Sequence, residues 1–324
     1  MSRVRLLVIA LAVLAPLLVL AALVLRPVPA APQDALLVVV ADPTVSEGLV
    51  DAIEASGDDT LAPLTATSAE LARFAVEQGT IVATLAVDLE AENDVLSIAG
   101  ANGTQVNQAV VASVADLMST FDRTVVVQDV NPADVPRLLP SALVAAGLVI
   151  GVVTMLARRW GGRLRRSSHP PRHLAERIGT DALLYGVVLG LAAFFAGLPG
   201  SPPLWIALGV LLVGLSATVT ATCLRALGAW GLGFSVALFA LPVWVLVRAP
   251  HELLLPPLIA EVGQWMPHGA AAEIAGRMAL FGDPATWQPW LVLIAWAVGG
   301  ALVLALVHRF MRGPARPVEV AAEA

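Results

Sequence analysis

Six stretches of the chain, residues 6–25, 138–157, 182–198, 203–224, 229–247 and 289–307, are strongly apolar and carry no ionised side chain. The hydrocarbon core of a bilayer is about 30 Å thick, so apolar runs of about 17 to 25 residues are long enough to cross it as helices. One arginine or aspartate at the centre of such a helix costs roughly 3 kcal/mol, which makes the absence of charge from all six runs the governing constraint. A soluble fold has nowhere to put this much apolar surface. Of the residues, 58% are hydrophobic and 14% charged, against about 25% charged in soluble domains. The expected fold is a polytopic α-helical membrane protein with six transmembrane helices. Pro16 and Pro242 fall inside two of the runs, where neighbouring helices satisfy the freed carbonyls and a kink is expected.

Charge orients the spans. All 19 basic residues are arginine, and six spans place thirteen on one side (Arg3, Arg5, the seven between Arg158 and Arg177, Arg225, Arg309, Arg312, Arg316) and six on the other. Arginine gathers in cytoplasmic loops, so both termini are expected in the cytoplasm of a cytoplasmic-membrane protein. Residues 27–138 hold seventeen acids and three arginines, a charge of −14, while the remainder holds sixteen arginines and eight acids, +8. The net charge of −6 thus averages an acidic outer segment with a basic inner face. Arg3, Arg5, the apolar run and Val28-Pro29-Ala30 also suit a cleavable signal, but signal cores run about 7 to 15 residues. Residues 1–30 are expected to stay as an N-terminal signal-anchor helix.

Between this anchor and the second span, residues 31–137 read as an extracytoplasmic α/β domain. Runs at 36–41, 80–87, 95–99 and 124–130 are short and rich in valine and isoleucine, as strands are. Thr44 with Glu47, and Thr67 with Glu70, match the capping-box spacing at helix starts. A third helix is expected to present Val106, Val110, Val114, Leu117, Met118 and Phe121 on one face. The acids Asp58, Asp59, Asp88, Glu90, Glu92 and Asp94 lack EF-hand spacing and read as solvated turns, not a calcium site. Asn102-Gly103-Thr104 fits a glycosylation sequon but reads first as a turn.

Two further segments carry information. The loop after the second span bears Arg158, Arg159, Arg163, Arg165, Arg166, Arg172, Glu176 and Arg177. Its arginines suit anionic lipid headgroups at about 1 kcal/mol each, a cytoplasmic partner, or plain positive-inside anchoring. His169 and His173 mimic a zinc pair, but Pro170-Pro171 forbids the helix that would align them. Residues 172–178 are expected to form a short helix able to dock on another protein. The segment 251–287 has apolar runs too short to span, interrupted by Glu261, Glu273 and Arg277. It is expected to enter partway from outside or to lie at the outer interface, with helices opened at Pro256-Pro257 and Pro267 and an i, i+4 pair between Glu273 and Arg277. Trp265, Trp287 and Trp290 suit an interfacial belt. A plain amphipathic connector is the alternative reading.

The domain order, together with SAELARFAVEQGTIVATLAVDLEAENDVLSIAGANG (68–103), VVVQDVNPADVPR (125–137) and LLLPPLIAEVGQWMPHGAAAEIAGRMALFG, resembles ABC-2 type transporter permeases of the phage infection protein-like (YhgE/Pip) branch. The likeness in the last segment rests on Leu255-Pro256, Gly263-Gln264-Trp265-Met266-Pro267-His268-Gly269-Ala270 and Arg277. It implies an exporter subunit in which 138–310 form a five-helix permease domain with an outer hairpin, followed by a cytoplasmic tail, 311–324. It also implies a homodimer or a heterodimer with another permease subunit, membrane-lipid contacts, and a separate ABC ATPase on the arginine loop. The stretch ahead of Leu6 is too short for the amphipathic interfacial helix many such permeases carry.

Several classes are excluded by the residues themselves. A chain without lysine contains no G-x-x-x-x-G-K-[ST] motif, so it does not hydrolyse ATP through a P-loop. No H-E-x-x-H pattern marks an intramembrane enzyme, and uncharged spans argue against an ion-coupled carrier. Lone Cys223 rules out a multi-thiolate metal site. No catalytic residue, cofactor or nucleic-acid partner is expected. The glycines Gly186, Gly190, Gly209, Gly214, Gly228, Gly231, Gly233, Gly299 and Gly300 are expected to bring spans into close contact. The alternative function is a non-transporting receptor or scaffold whose outer domain binds an envelope partner or phage.

Overall fold

The computed structural model describes residues 32–91, 93–132, 138–160, 171–248, 252–282 and 287–310. The expected anchor span 6–25, Glu92, Arg163, Arg165, Arg166, His169 and the tail lie outside them. Residues 35–129 form an α/β domain of five strands and three helices: β1 (Ala35–Val40), α1 (Pro43–Ser56), β2 (Leu61–Ala66), α2 (Ala69–Glu77), β3 (Ala83–Ala86), β4 (Asn93–Ile98), α3 (Thr104–Ser119) and β5 (Thr124–Asp129). The sheet order is β2-β1-β3-β4-β5. Only the β3–β4 pair is antiparallel, with Thr84 opposite Ser97.

Alternation along the strands builds the core. Leu37 and Val39 of β1, Leu85 of β3 and Leu96 and Ile98 of β4 pack against Leu49 and Ile53 of α1 and Val106, Val110, Val114 and Met118 of α3. The intervening Val38, Thr84 and Ser97 are buried as well, so the central strands are covered on both faces.

Sequence reading overlooked β2, because LAPLTA contains Pro63. It is an edge strand paired with β1 alone, where a missing amide proton is tolerated. Both expected capping boxes shift. Asp42 caps α1, accepting from the Thr44 amide at 3.1 Å, because Pro43 is preorganised for the first helical position. Ser68 caps α2, accepting from the Leu71 amide at 3.3 Å. Phe121 does not join the α3 face: the helix ends at Ser119 and the ring is exposed. Asn102 is buried in a turn at 100–102 and donates its side-chain amide to the Val82 carbonyl.

The acidic turn also departs from expectation. Asp94 is fully buried and takes two hydrogen bonds from Arg123, at 2.7 and 2.8 Å, and the same guanidinium donates to the Asp88 carbonyl. One arginine therefore neutralises and ties down the β3–β4 connection. Asp88 stays at the surface, accepting from the Glu90 amide.

The remaining helices are α4 (Leu138–Trp160), α5 (Pro171–Phe195), α6 (Pro202–Leu227), α7 (Trp230–Arg248), α8 (Pro257–Gln264), α9 (Pro267–Gly276) and α10 (Trp287–Phe310). Four segments, Leu139–Arg158, His173–Phe195, Pro202–Leu227 and Trp287–Arg309, are long and apolar enough to cross a membrane. The fifth expected span falls on α7, whose first part, Trp230–Phe239, is apolar. The short helix expected at 172–178 is not separate: it is the first two turns of α5. The helix runs on without a break, and Thr180 turns its hydroxyl back to the Glu176 carbonyl within it.

Glycine sets the packing around central α6. A Cβ at Gly186 would lie 2.5 Å from Val210 and one at Gly190 2.4 Å from Ile206, so α5 touches α6 backbone to backbone. Gly151 of α4 meets Ser216 in the same way, and Gly231 of α7 meets the Cys223 carbonyl. Not every expected glycine acts so: Gly228 turns the chain at φ 64°, and Gly233 and Gly299 have no neighbour within 4 Å among the described residues.

Candidate functional site

The segment between α7 and α10 joins the two parts of the molecule. It consists of a 3-10 turn, Glu252–Leu254, then α8, α9 and a π-helical turn, Arg277–Phe281. Its prolines do what their chemistry dictates: Pro257 and Pro267 open the two helices at positions that need no amide proton. Between the helices the chain reverses tightly. A Cβ at Gly269 would collide with the Gly263 carbonyl oxygen, so a glycine at 269 is a steric requirement of the hairpin, whereas a side chain at Gly263 would meet no described atom.

The second arm is buried within the bundle. Ala270, Ala271, Ile274, Ala275 and Met278 are fully enclosed and share a core with Val144 and Leu148 of α4, Leu212 of α6 and Leu293 of α10. The turn also lies below the start of α10, because the Trp265 carbonyl accepts from the indole of Trp296 at 2.9 Å. Trp296 stands about 13 Å along α10 from Trp287 at the usual helical rise. The hairpin therefore enters the bundle and returns. Glu261 and Gln264 lie at the exposed side of α8, and Glu273 meets Arg277 at 4.0 Å. Trp265 and Trp287 are exposed, as a belt requires, but Trp290 packs against the bundle core.

Both ends of the hairpin are held by the α/β domain. At its start, the Gln33 amide donates to the Leu253 carbonyl at 2.9 Å, and Leu254, 1% exposed, completes the domain core among α1 and α3. At its end, Asn131 donates to the carbonyls of Glu77 and Leu280, at 3.1 and 3.3 Å. Phe281 packs with Val76, Ala99 and Ala101, and its ring fills the space beside Gly79. Leu280 touches the bundle core and the domain cluster alike. The end of the hairpin thus touches the bundle core and the domain at once.

At the opposite end of the helices, Arg158 grips Asp181 through contacts of 2.6 to 2.9 Å, fastening the end of α4 to α5. Arg158, expected in the arginine loop, is thus paired with a carboxylate of the neighbouring helix. Arg225 of α6 similarly meets His308 of α10 at 2.8 Å. Glu176 and Arg177 are exposed on the first turns of α5, with His173 beside Glu176. The side chains of Arg159 and Arg172 lie outside the described residues.

Sequence reasoning located the hairpin through its prolines and glycines but missed Leu254, Asn131 and the Phe281–Gly79 contact. Only the triple leucine ahead of Pro256 hinted at a buried anchor. Among the described residues no three histidine, cysteine, aspartate or glutamate side chains converge to hold a metal ion. No family model, no curated protein and no solved structure matches this chain.

Proposed function

We propose that the chain is the permease subunit of an ABC-2 type exporter, moving a substrate across the cytoplasmic membrane with energy from a separate ATPase. In this reading the bundle has six spans, the α/β domain lies outside, and both termini lie in the cytoplasm. The observation that carries it is α9, a helix that begins at the hairpin turn inside the bundle and runs back out toward the domain. A helix terminus at membrane depth leaves backbone groups to be satisfied, which is tolerated only where it is buried or lines a pathway. A bundle serving only to anchor a receptor domain gains nothing from that arrangement.

The energy source must be separate, because the chain has no lysine for a P-loop. Its docking surface is the inner end of α5, where Glu176 and Arg177 project beyond the Arg158–Asp181 clasp, together with the neighbouring arginines. The chain works as a dimer with itself or with a second permease subunit. The test is capture of an ABC ATPase by the tagged chain from solubilised membranes. Capture that falls at least about tenfold on Arg177→Glu, equivalent to about 1.4 kcal/mol, supports the assignment. Failure of any ATP-binding subunit to accompany the native chain overturns it.

A further inference from the structure

The two edges of the α/β sheet are built differently. β2 and β5 are the outer strands, each six residues long and paired on one side only. An unpaired edge presents a row of N–H and C=O groups to any passing chain, and proteins blunt such edges with proline, charge or a bulge. β2 carries Pro63 near its middle. β5 carries no such device between Thr124 and Gln128: there is no proline and no charge, and its register with β4 runs unbroken. Val126 is 51% exposed and Val127 43%, and as neighbours on a strand they point to opposite faces of the sheet. Among the described residues the strand is therefore open on both faces. We propose that β5 takes up, as an added strand, an extended apolar segment of a different protein that has a basic residue at each end. The inference rests on the domain alone and does not require transport.

The charges around the strand select this partner. Asp122 and Asp129, both exposed, flank the neutral run, and the chain between them sets them roughly 20 Å apart. Arg123, the neighbouring cation, is already bound to Asp94. Asp129 is held in place by the amides of Gly100 and Asn131, at 2.8 and 3.2 Å. Residues 27–138 together carry −14. A basic residue opposite each aspartate is favourable across strands, and an acidic one is repelled. Main-chain bonds along the edge supply the affinity and the alternating valines the specificity, as in other strand-addition complexes.

A second copy of this chain does not fit. Gln33, ahead of β1, bonds to Leu253, Phe281 fills the space beside Gly79, ahead of β3, and Asn131, just past β5, bonds to Leu280. The hairpin therefore sits at the start of β1 and β3 and at the end of β5, and the strands run between that end and the far side of the domain. Antiparallel pairing of two β5 strands would put the second bundle at the far side, where two copies in one membrane cannot place it. Parallel, in-register pairing would set Asp122 and Asp129 beside their own copies, and like charges directly opposite are destabilising.

The probe is a synthetic peptide of alternating valine and threonine with two arginines at each end, added to the full-length chain in nanodiscs. The proposal expects binding that slows hydrogen exchange at the outward amides of β5 and leaves β2 unchanged. N-methylation of alternate peptide amides, which removes edge hydrogen bonds and keeps the charge, should weaken binding by at least about tenfold, and so should glutamates in place of the arginines. Val127→Lys, which supplies the missing edge charge, should weaken it too, while Leu64→Lys, at a 52% exposed position of β2, should not. Unchanged midpoints of thermal unfolding verify that both variants fold. Binding that the methylated peptide matches is plain charge attraction and overturns the proposal, as does failure of the unmodified probe to bind. Outward amides of β5 that already exchange slowly in the chain alone mean that this chain or a second copy covers the edge, and overturn it equally. None of these outcomes depends on capture of an ATPase.

Discussion

The ring of Phe281 occupies the space into which a side chain at Gly79 would project: a Cβ there would lie 2.6 Å from it. Gly79 also holds φ at 66°, a conformation that costs a residue with a Cβ about 1 to 2 kcal/mol. Gly79→Ala is therefore expected to lower domain stability by at least about 1 kcal/mol, read as a lower midpoint of thermal unfolding. Phe281→Ala removes the clash but not the strain. In a double-mutant cycle the pair should be non-additive by about 0.5 to 3 kcal/mol; additive effects would mean that the two residues do not touch.

Leu254 belongs by sequence to the hairpin and by packing to the domain core, where it is 1% exposed. Leu254→Ala should cost about 2 to 5 kcal/mol, as buried leucine truncations do. Leu258→Ala, at a 72% exposed position of α8, should have little effect on the domain. Hydrogen exchange checks the difference: faster exchange in α1 and α3 is expected for the first variant and not for the second.

Asp94 is fully buried and pairs with the partly exposed Arg123, which also fixes the β3–β4 connection. Arg123→Ala leaves the buried carboxylate without its partner, and an uncompensated buried charge is strongly destabilising. This variant is expected to destabilise the domain and to loosen residues 88–91, as read by chemical denaturation and local exchange.

Acid acts on a different carboxylate. Hydrogen bonds from Thr60 hold Asp58 below its usual range. A depressed carboxylate contributes stability above its unfolded value and loses it as pH falls through the folded one. The domain should therefore lose part of its stability on acidification below that ordinary range, and Asp58→Asn should flatten this limb of the stability curve. An unchanged limb would remove Asp58 from the account.

How much of this was legible beforehand depended on range. Local chemistry was readable: Pro257, Pro267 and Gly269 specify the hairpin through backbone constraints close in sequence. The apolar helices followed from the length of uncharged runs. What escaped depends on partners far along the chain. Pro63 disguised an edge strand, Asp94 looked solvated until Arg123 was placed beside it, and Leu254 is assigned to the domain core only by partners far along the chain. Asp181 was visible near the arginines, but only helix pairing assigns it to Arg158.

The proposed six-span topology rests on the distribution of arginines along the chain. Cysteines introduced at Ser56, exposed at the end of α1, and at Ser167 in the arginine loop should react with an impermeant maleimide from opposite sides of the membrane. Reaction of both from one side contradicts the six-span arrangement.

The most direct measurement is ATP hydrolysis by the accompanying ATPase in proteoliposomes, with and without this chain. The account predicts stimulation by the native chain, a loss of that stimulation with Arg177→Glu, and recovery when Glu176→Arg is added to restore the net charge of the inner end of α5. Hydrolysis indifferent to the chain, or stimulated equally by native and Arg177→Glu proteins, would contradict it.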